Sequence, residues 1–206
     1  MFRDRHDAAA QLVKRLSAYT GQHPLILAVP RGAVPMGKLL ATELEGELDV
    51  VLVRKLGAPF NPEFAVGSVD ETGWTYIAPY AEQSGADVSY LAAERARQLA
   101  RIRARRAQYT PIRPHIDPSG RVVIVVDDGL ATGATMMAAL HGLRAQNPAK
   151  LICAVPVASA EALDKVRPLA DEVICLQTPR DFQAVGQFYD NFAQVGDDEV
   201  IALLKQ

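Results

Sequence analysis

Apolar residues recur along this chain in two rhythms. Between Asp4 and Tyr19, Ala8, Leu12, Leu16 and Tyr19 fall at helical spacing, and Gly21 closes the run. Leu25-Ile26-Leu27-Ala28-Val29 is instead continuous, the signature of a short strand buried on both faces. A turn, Pro30-Arg31-Gly32-Ala33-Val34-Pro35, then opens a helical pattern through Leu39, Leu40 and Leu44 to Gly46. Asp49-Val50-Val51-Leu52-Val53 predicts the next strand, with the basic pair Arg54-Lys55 at its carboxyl end. From Ala58 to about Ser89 the pattern loosens. Pro59 to Phe64 reads as a turn, and Phe64–Val69 with Trp74–Ile77 as a hairpin across Asp70-Glu71-Thr72-Gly73. Val88 to Tyr109 is helical, and Thr110 to Gly120, with Pro111, Pro114 and Pro118, is a linker.

The second half is more regular. Val122–Val126, Leu151–Val157 and Glu172–Leu176 are buried strands, separated by helices from Thr132 to about Gln146 and from Ser159, as N-cap, to Leu169. The alternation predicts an α/β fold: one domain over residues 1–206, built on a parallel sheet with right-handed crossovers. Its 206 residues, 49% of them hydrophobic, suffice for a sizeable core.

Charge narrows the partners. The formal net charge of −2 gives no global attraction to nucleic acid or an acidic membrane. No apolar run approaches the ~20 residues of a membrane span. No apolar segment follows Met1-Phe2-Arg3-Asp4-Arg5-His6, so no secretory signal is expected and the cytoplasm is the expected compartment. Cys153 and Cys175 lie in separate apolar runs and read as small buried residues rather than a disulfide or metal pair. The helix from Val88 carries Arg95, Arg97, Arg101, Arg103, Arg105 and Arg106 against Glu94. Arg95 and Arg106 fall within its apolar stripe of Leu91, Leu99, Ile102 and Tyr109, and only Arg97, Arg101 and Arg105 form an i, i+4 row. That is an amphipathic helix with snorkelling arginines, at a subunit contact or near an anion, rather than an RNA-binding face.

The candidate chemistry sits at Val122-Val123-Ile124-Val125-Val126-Asp127-Asp128-Gly129-Leu130-Ala131-Thr132-Gly133-Ala134-Thr135. Open α/β sheets bind ligands at the carboxyl ends of their strands, which is where the two acids stand. The loop that follows aims backbone N–H groups and a helix N-terminus at one point, a setting for an anion. Acids beside an anion cradle suit a ligand that carries hydroxyls and a phosphate.

At Asp127, Asp128, Thr132, Gly133 and Thr135 the chain resembles the type I phosphoribosyltransferases. Their signature is an apolar strand, two acids and a Thr-Gly-x-Thr loop that binds 5-phosphoribosyl 1-pyrophosphate (PRPP). Val29-Pro30-Arg31-Gly32, Arg54-Lys55-Leu56-Gly57 and Val185-Gly186-Gln187-Phe188-Tyr189 further resemble a bacterial subgroup whose substrate is not settled.

The resemblance implies a Rossmann-like parallel-sheet fold with a flexible lid at 58–89 and a small hood or tail at 178–206. It implies transfer of the 5-phosphoribosyl group of PRPP to a nitrogen acceptor, a nucleobase above all, with release of pyrophosphate and dependence on Mg²⁺. Gly129, Leu130, Ala131, Thr132, Gly133, Ala134 and Thr135 would hold the 5′-phosphate. Asp127 and Asp128 would hold the ribose hydroxyls and, through water, the metal. Arg31, Gly32 and Lys55 would take the pyrophosphate, with Lys55 and the acid pair as the catalytic groups. Phe182, Phe188, Tyr189 and Phe192 are candidates to stack on the acceptor, and Glu63 reads as a plain loop carboxylate. A homodimer is expected from the family.

One departure bears on the acceptor. Hypoxanthine-guanine enzymes carry an Asp just before Thr-Gly, where this chain has Ala131. The loop is nearer the adenine type, although the adenine-specific lid pattern is not evident. The alternative reading is a non-catalytic PRPP sensor that binds RNA through the arginine helix.

Overall fold

The structure is a computed structural model that describes residues 1–205; Gln206, the end of the expected tail, lies outside the described residues. In chain order the elements are α1 (Arg5–Arg15), β1 (Leu25–Ala28), α2 (Val34–Glu43), β2 (Glu47–Val50), β3 (Val53–Ala58), β4 (Asn61–Asp70), β5 (Thr75–Ile77) and α3 (Val88–Tyr109). Then come β6 (Val122–Val126), α4 (Ala134–Arg144), β7 (Lys150–Val157), α5 (Ala160–Val166), β8 (Glu172–Gln177) and α6 (Asp197–Leu204).

The continuous apolar runs form one five-stranded parallel sheet, ordered β2-β1-β6-β7-β8. Successive side chains point to opposite faces, and both faces are covered. Ile26, Ile124 and Ile152 join Leu12 and Leu40 of α1 and α2 on one side. Leu27, Val125 and Cys153 join Met136, Leu140 and Leu163 of α4 and α5 on the other. The helix starts are capped by side-chain oxygens: Asp4 accepts from Asp7 N (2.8 Å), Asp87 from Tyr90 N (2.7 Å) and Ser159 from Ala162 N (3.0 Å).

The division between β2 and β3 differs from the expectation. β2 spans Glu47–Val50, not Asp49–Val53. The Asp49 carboxylate is fully buried, accepts from Ile116 N (3.1 Å) and pairs with Arg106 (3.3 Å). Leu52 N donates to Glu71 Oε1 (2.9 Å), which draws the chain off the parallel sheet. Arg54 and Lys55 therefore lie inside β3, not at the carboxyl end of a parallel strand. β3 belongs to a separate antiparallel sheet, ordered β3-β4-β5.

The segment 58–89 is also more regular than its sequence suggests. The hairpin pairs Gly67 with Ile77, Ser68 with Tyr76 and Val69 with Thr75. β4 begins at Asn61, inside the stretch expected to be a turn, and Gly57 of β3 backs directly onto Pro62 where the ladder register shifts. The tail returns to the start of the chain: Phe2 N donates to Phe188 O (2.8 Å) and Asp190 N to Phe2 O (2.9 Å).

Candidate active site

β6 delivers Asp127 and Asp128 to the carboxyl edge of the sheet. The loop beyond is pinned at its middle, where Leu130 N donates to Val157 O (2.9 Å) and Ser159 N to Leu130 O (3.0 Å). Gly133 adopts φ +77°, which turns the loop into α4 and directs the unpaired N–H groups of its first turn back at the loop. Thr132 Oγ1 lies 3.4 Å from Ala134 N as an acceptor. Lys55, Asp127, Asp128 and residues 129–136 line one cavity of about 180 Å³. All seven expected loop positions, both acids and the lysine thus come together.

The acid pair is electrostatically loaded. Burial raises both carboxyls above the ordinary range, and the charge of Asp128 raises Asp127 further, against the pull of Lys55 and Arg5. Asp127 Oδ1 accepts from Asp128 N (2.8 Å). Asp128 Oδ2 accepts from Arg5 Nε (3.1 Å) and Nη2 (2.9 Å). Arg5 also donates from Nη1 to Ala193 O (2.6 Å) and lies 3.9 Å from the centre of the Phe192 ring. Tyr189 donates its hydroxyl to Asp128 O (2.6 Å), and burial holds that phenol far above its ordinary range, protonated.

The expected pyrophosphate loop flanks this pair. The Pro30–Arg31 peptide is cis. Gly32 lies so close that a Cβ there would collide with Asp128 Oδ2. The Arg31 side chain points elsewhere: its Nη1 is 3.5 Å from Asp197 Oδ2, at the start of α6, and Arg105 approaches the same carboxylate (3.5 Å). Arg31 and Lys55 are therefore not side by side; Lys55 faces the cradle, whereas Arg31 is held by the tail.

A larger cavity, about 640 Å³, opens beside the cradle and shares Lys55, Asp127 and Thr135 with it. Pro30, Arg54, Arg97 and Arg101 are among its walls, so part of the α3 arginine row faces the site. The two arginines of the apolar stripe have other work. Arg95 donates to Gly73 O (2.7 Å) and Thr75 Oγ1 (3.0 Å), and Arg106 pairs with Asp49 (3.3 Å) and Glu71 (2.5 Å). They fasten α3 to the small sheet and to the end of β2.

Arg5 and Asp197 were not legible as site residues, and Tyr189, expected as a ring to stack on an acceptor, instead donates to the Asp128 carbonyl. Each acts through a partner far along the chain, and only the run Arg3-Asp4-Arg5-His6 at a helix start marked Arg5 at all. Among the described residues no group of three or more His, Cys, Asp or Glu is placed to hold a metal. Two carboxylates are nevertheless the hard-oxygen donors that Mg²⁺ takes when water and substrate phosphates complete its shell.

The sequence profile of the phosphoribosyl transferase domain matches residues 2–193. The chain belongs to the phosphoribosyltransferase family, a family of pentosyltransferases. Among solved structures this phosphoribosyltransferase domain is 47% identical to TT1426 from Thermus thermophilus, with TM-score 0.83 over 99% of this chain and 97% of that one. AQ2163 from Aquifex aeolicus is 11% identical with TM-score 0.54, covering 96% and 84% of the two chains, a likeness of fold alone. Proteins from two strains of Mycobacterium tuberculosis, named provisionally as phosphoribosyl transferases, are 40% identical over 205 residues. The match takes in 99% of this chain and 46% of each relative, so the chain spans about half their length. No helix among the described residues is long and apolar enough to cross a membrane.

Proposed function

We propose that the chain transfers the 5-phosphoribosyl group of PRPP to a nitrogen acceptor, a nucleobase or similar ring, with release of pyrophosphate in the presence of Mg²⁺. One observation carries the reading: two raised carboxyls and a seven-residue anion loop line the same small cavity with Lys55. The loop 129–135 takes the 5′-phosphate through its N–H groups and the Thr132 and Thr135 hydroxyls. Asp127 and Asp128 accept from the ribose hydroxyls and orient C1′. Positive charge that builds on the ribose ring faces the carboxyls of Asp127 and Asp128, and Lys55 steadies the departing pyrophosphate. Gly32 lets the backbone of the pyrophosphate loop lie directly against Asp128. Asp127 and Asp128 would hold Mg²⁺ through water, and the ion would supply charge neutralisation on the pyrophosphate. Catalysis of this kind is positioning and electrostatics, with no covalent nucleophile.

The test is pyrophosphate release from PRPP and Mg²⁺, with nitrogen acceptors offered one at a time. Release should depend on an acceptor and fall at least about a hundredfold in Asp128→Ala, the scale of a lost transition-state contact. PRPP binding without release for any acceptor would discard the enzyme in favour of a sensor. A homodimer and a cytoplasmic location belong to the same proposal. Phe60 (92% exposed), Val88 (85%), Phe64 and Ile77 leave apolar surface on the small sheet and the start of α3 for a second copy. Light scattering should give twice the chain mass, and Phe60→Asp should lower it; cell fractionation checks the compartment.

A further inference from the structure

The strand β3 presents its two adjacent cations to different neighbours. Lys55 pairs across the ladder with Ser68, whose hydroxyl donates to Ala134 O (2.8 Å) at the motif helix. Arg54 pairs with Val69 and takes the opposite face, towards α3. Burial, and after it the charges of Arg105 and Arg101, pull the pKa of Arg54 below the ordinary value. Like charges gathered in this way repel one another.

The charges around the larger cavity are unevenly matched: Arg54, Lys55, Arg97 and Arg101 face Glu63, Glu94 and Asp127. Arg97 is paired with Glu94 (2.8 Å), Lys55 acts on Asp127, and Arg105 shares Asp197 with Arg31. Among the described residues, no carboxylate forms an ion pair with Arg54 or Arg101. Both line a cavity of about 640 Å³, within the roughly 300–1,000 Å³ typical of small-molecule pockets. It is several times the 180 Å³ cradle and opens into it through Lys55 and Asp127.

The tail offers little for an uncharged flat ring. Phe182 packs on Phe188 (5.3 Å between ring centres) and Tyr189 on both Phe2 (5.5 Å) and Phe192 (5.0 Å). Phe192 in turn carries the Arg5 guanidinium. The rings that would stack on a base are engaged with each other and with Arg5.

We infer that Arg54 and Arg101, with Arg97 at the rim, form a second anion subsite beside the pyrophosphate contacts, and that it receives a phosphate or carboxylate carried by the acceptor. The inference rests on the transferase reading of the same site. It narrows the acceptor from nitrogen rings in general to acidic ones.

The test begins with the full chain saturated with PRPP and Mg²⁺, followed by calorimetric titration with inorganic phosphate. Phosphate should bind the loaded protein. Arg54→Gln and Arg101→Gln should each weaken it about tenfold, the scale of one charge-assisted hydrogen bond. PRPP affinity should stay within about twofold, as it does for independent sites. Arg101 is exposed, so its variant keeps the fold even if Arg54→Gln does not. Phosphate that is excluded by PRPP, or unaffected by either substitution, overturns the subsite; variants that weaken PRPP instead assign these arginines to pyrophosphate. Turnover tests the acceptor: ring-nitrogen compounds offered as matched carboxylate and carboxamide forms should release pyrophosphate only as the carboxylate, and equal rates overturn the acidic acceptor. A protein that never binds PRPP fails the transferase reading instead, and phosphate binding by the unloaded chain and the same two variants then judges the subsite separately.

Discussion

Arg5 reaches 123 residues along the chain to share Asp128 Oδ2 between its Nε and Nη2. Both side chains are largely buried, at 12% and 17% exposure. The acid pair costs free energy to bury, and Arg5 offsets part of that cost while fixing where Asp128 points. Removing one partner of a buried pair costs about 3–5 kcal/mol, and the residual exposure here puts Arg5→Ala near about 2–3 kcal/mol. Arg5→Lys keeps the charge but not the two-nitrogen fork, so it should recover only part of the loss. Urea unfolding measures both; a change below about 0.5 kcal/mol, the size of an ordinary surface substitution, would remove Arg5 from this role. Gly32 makes a second demand at the same carboxylate. A methyl group there meets Asp128 Oδ2 and comes within 3.2 Å of Arg5 Nη2, so Gly32→Ala should weaken PRPP binding while the circular dichroism spectrum is unchanged. The motif that names Asp128 is local and could be read from the chain. The residue that positions it could not, because the contact forms only when α1 folds over the sheet edge and the tail closes behind it.

At the scale of elements, legibility follows the reach of the interactions. β1, β6 and β7 announce themselves because burial on both faces makes a continuous apolar run, and the edge strand β8 carries a half-buried version of it. Helix α3 matches its expected bounds because one stripe of Leu91, Leu99, Ile102 and Tyr109 sets its phase. The division of β2 from β3 is invisible in sequence, since it depends on Asp49 finding Arg106 and Ile116 on distant segments. Asp70 shows the same dependence. It ends β4 and holds the hairpin turn, accepting at Oδ1 from Thr72 Oγ1 (2.7 Å) and Trp74 N (3.0 Å). Its Oδ2 packs against Gly142 of α4 and, among the described residues, has no hydrogen-bond partner. Burial therefore raises the carboxyl above its ordinary range. A raised carboxyl favours the fold while protonated: its contribution is complete below the unfolded value of about 3.9 and is lost as pH rises through the folded one. Asp70→Asn keeps Oδ1 and cannot ionise. Relative to the wild type it should gain stability as pH is raised from about 4 towards neutrality. Urea midpoints at stepped pH check this, and parallel profiles for the two proteins would refute it.

In the whole molecule the cradle belongs to the parallel sheet and the larger cavity to its seam with the small sheet and α3. Lys55 stands on the small sheet, while Asp127 and the anion loop stand on the large one. A ligand that touches both ties the two together, and its binding free energy adds to the stability of the folded chain. At a free PRPP concentration of a hundred times Kd the gain is about 2.7 kcal/mol. For a domain of this size each kcal/mol moves Tm by about 2–4 °C, so PRPP with Mg²⁺ should raise Tm by about 5–11 °C. Thr132→Val and Lys55→Ala separate the two sides. Both residues are exposed, so the unliganded Tm should change little, while each substitution removes part of the ligand-induced rise. If Lys55→Ala leaves the rise intact and Thr132→Val abolishes it, PRPP is held by the large sheet alone and does not bridge the seam. If neither affects it, PRPP binds elsewhere, and the cradle loses its assignment.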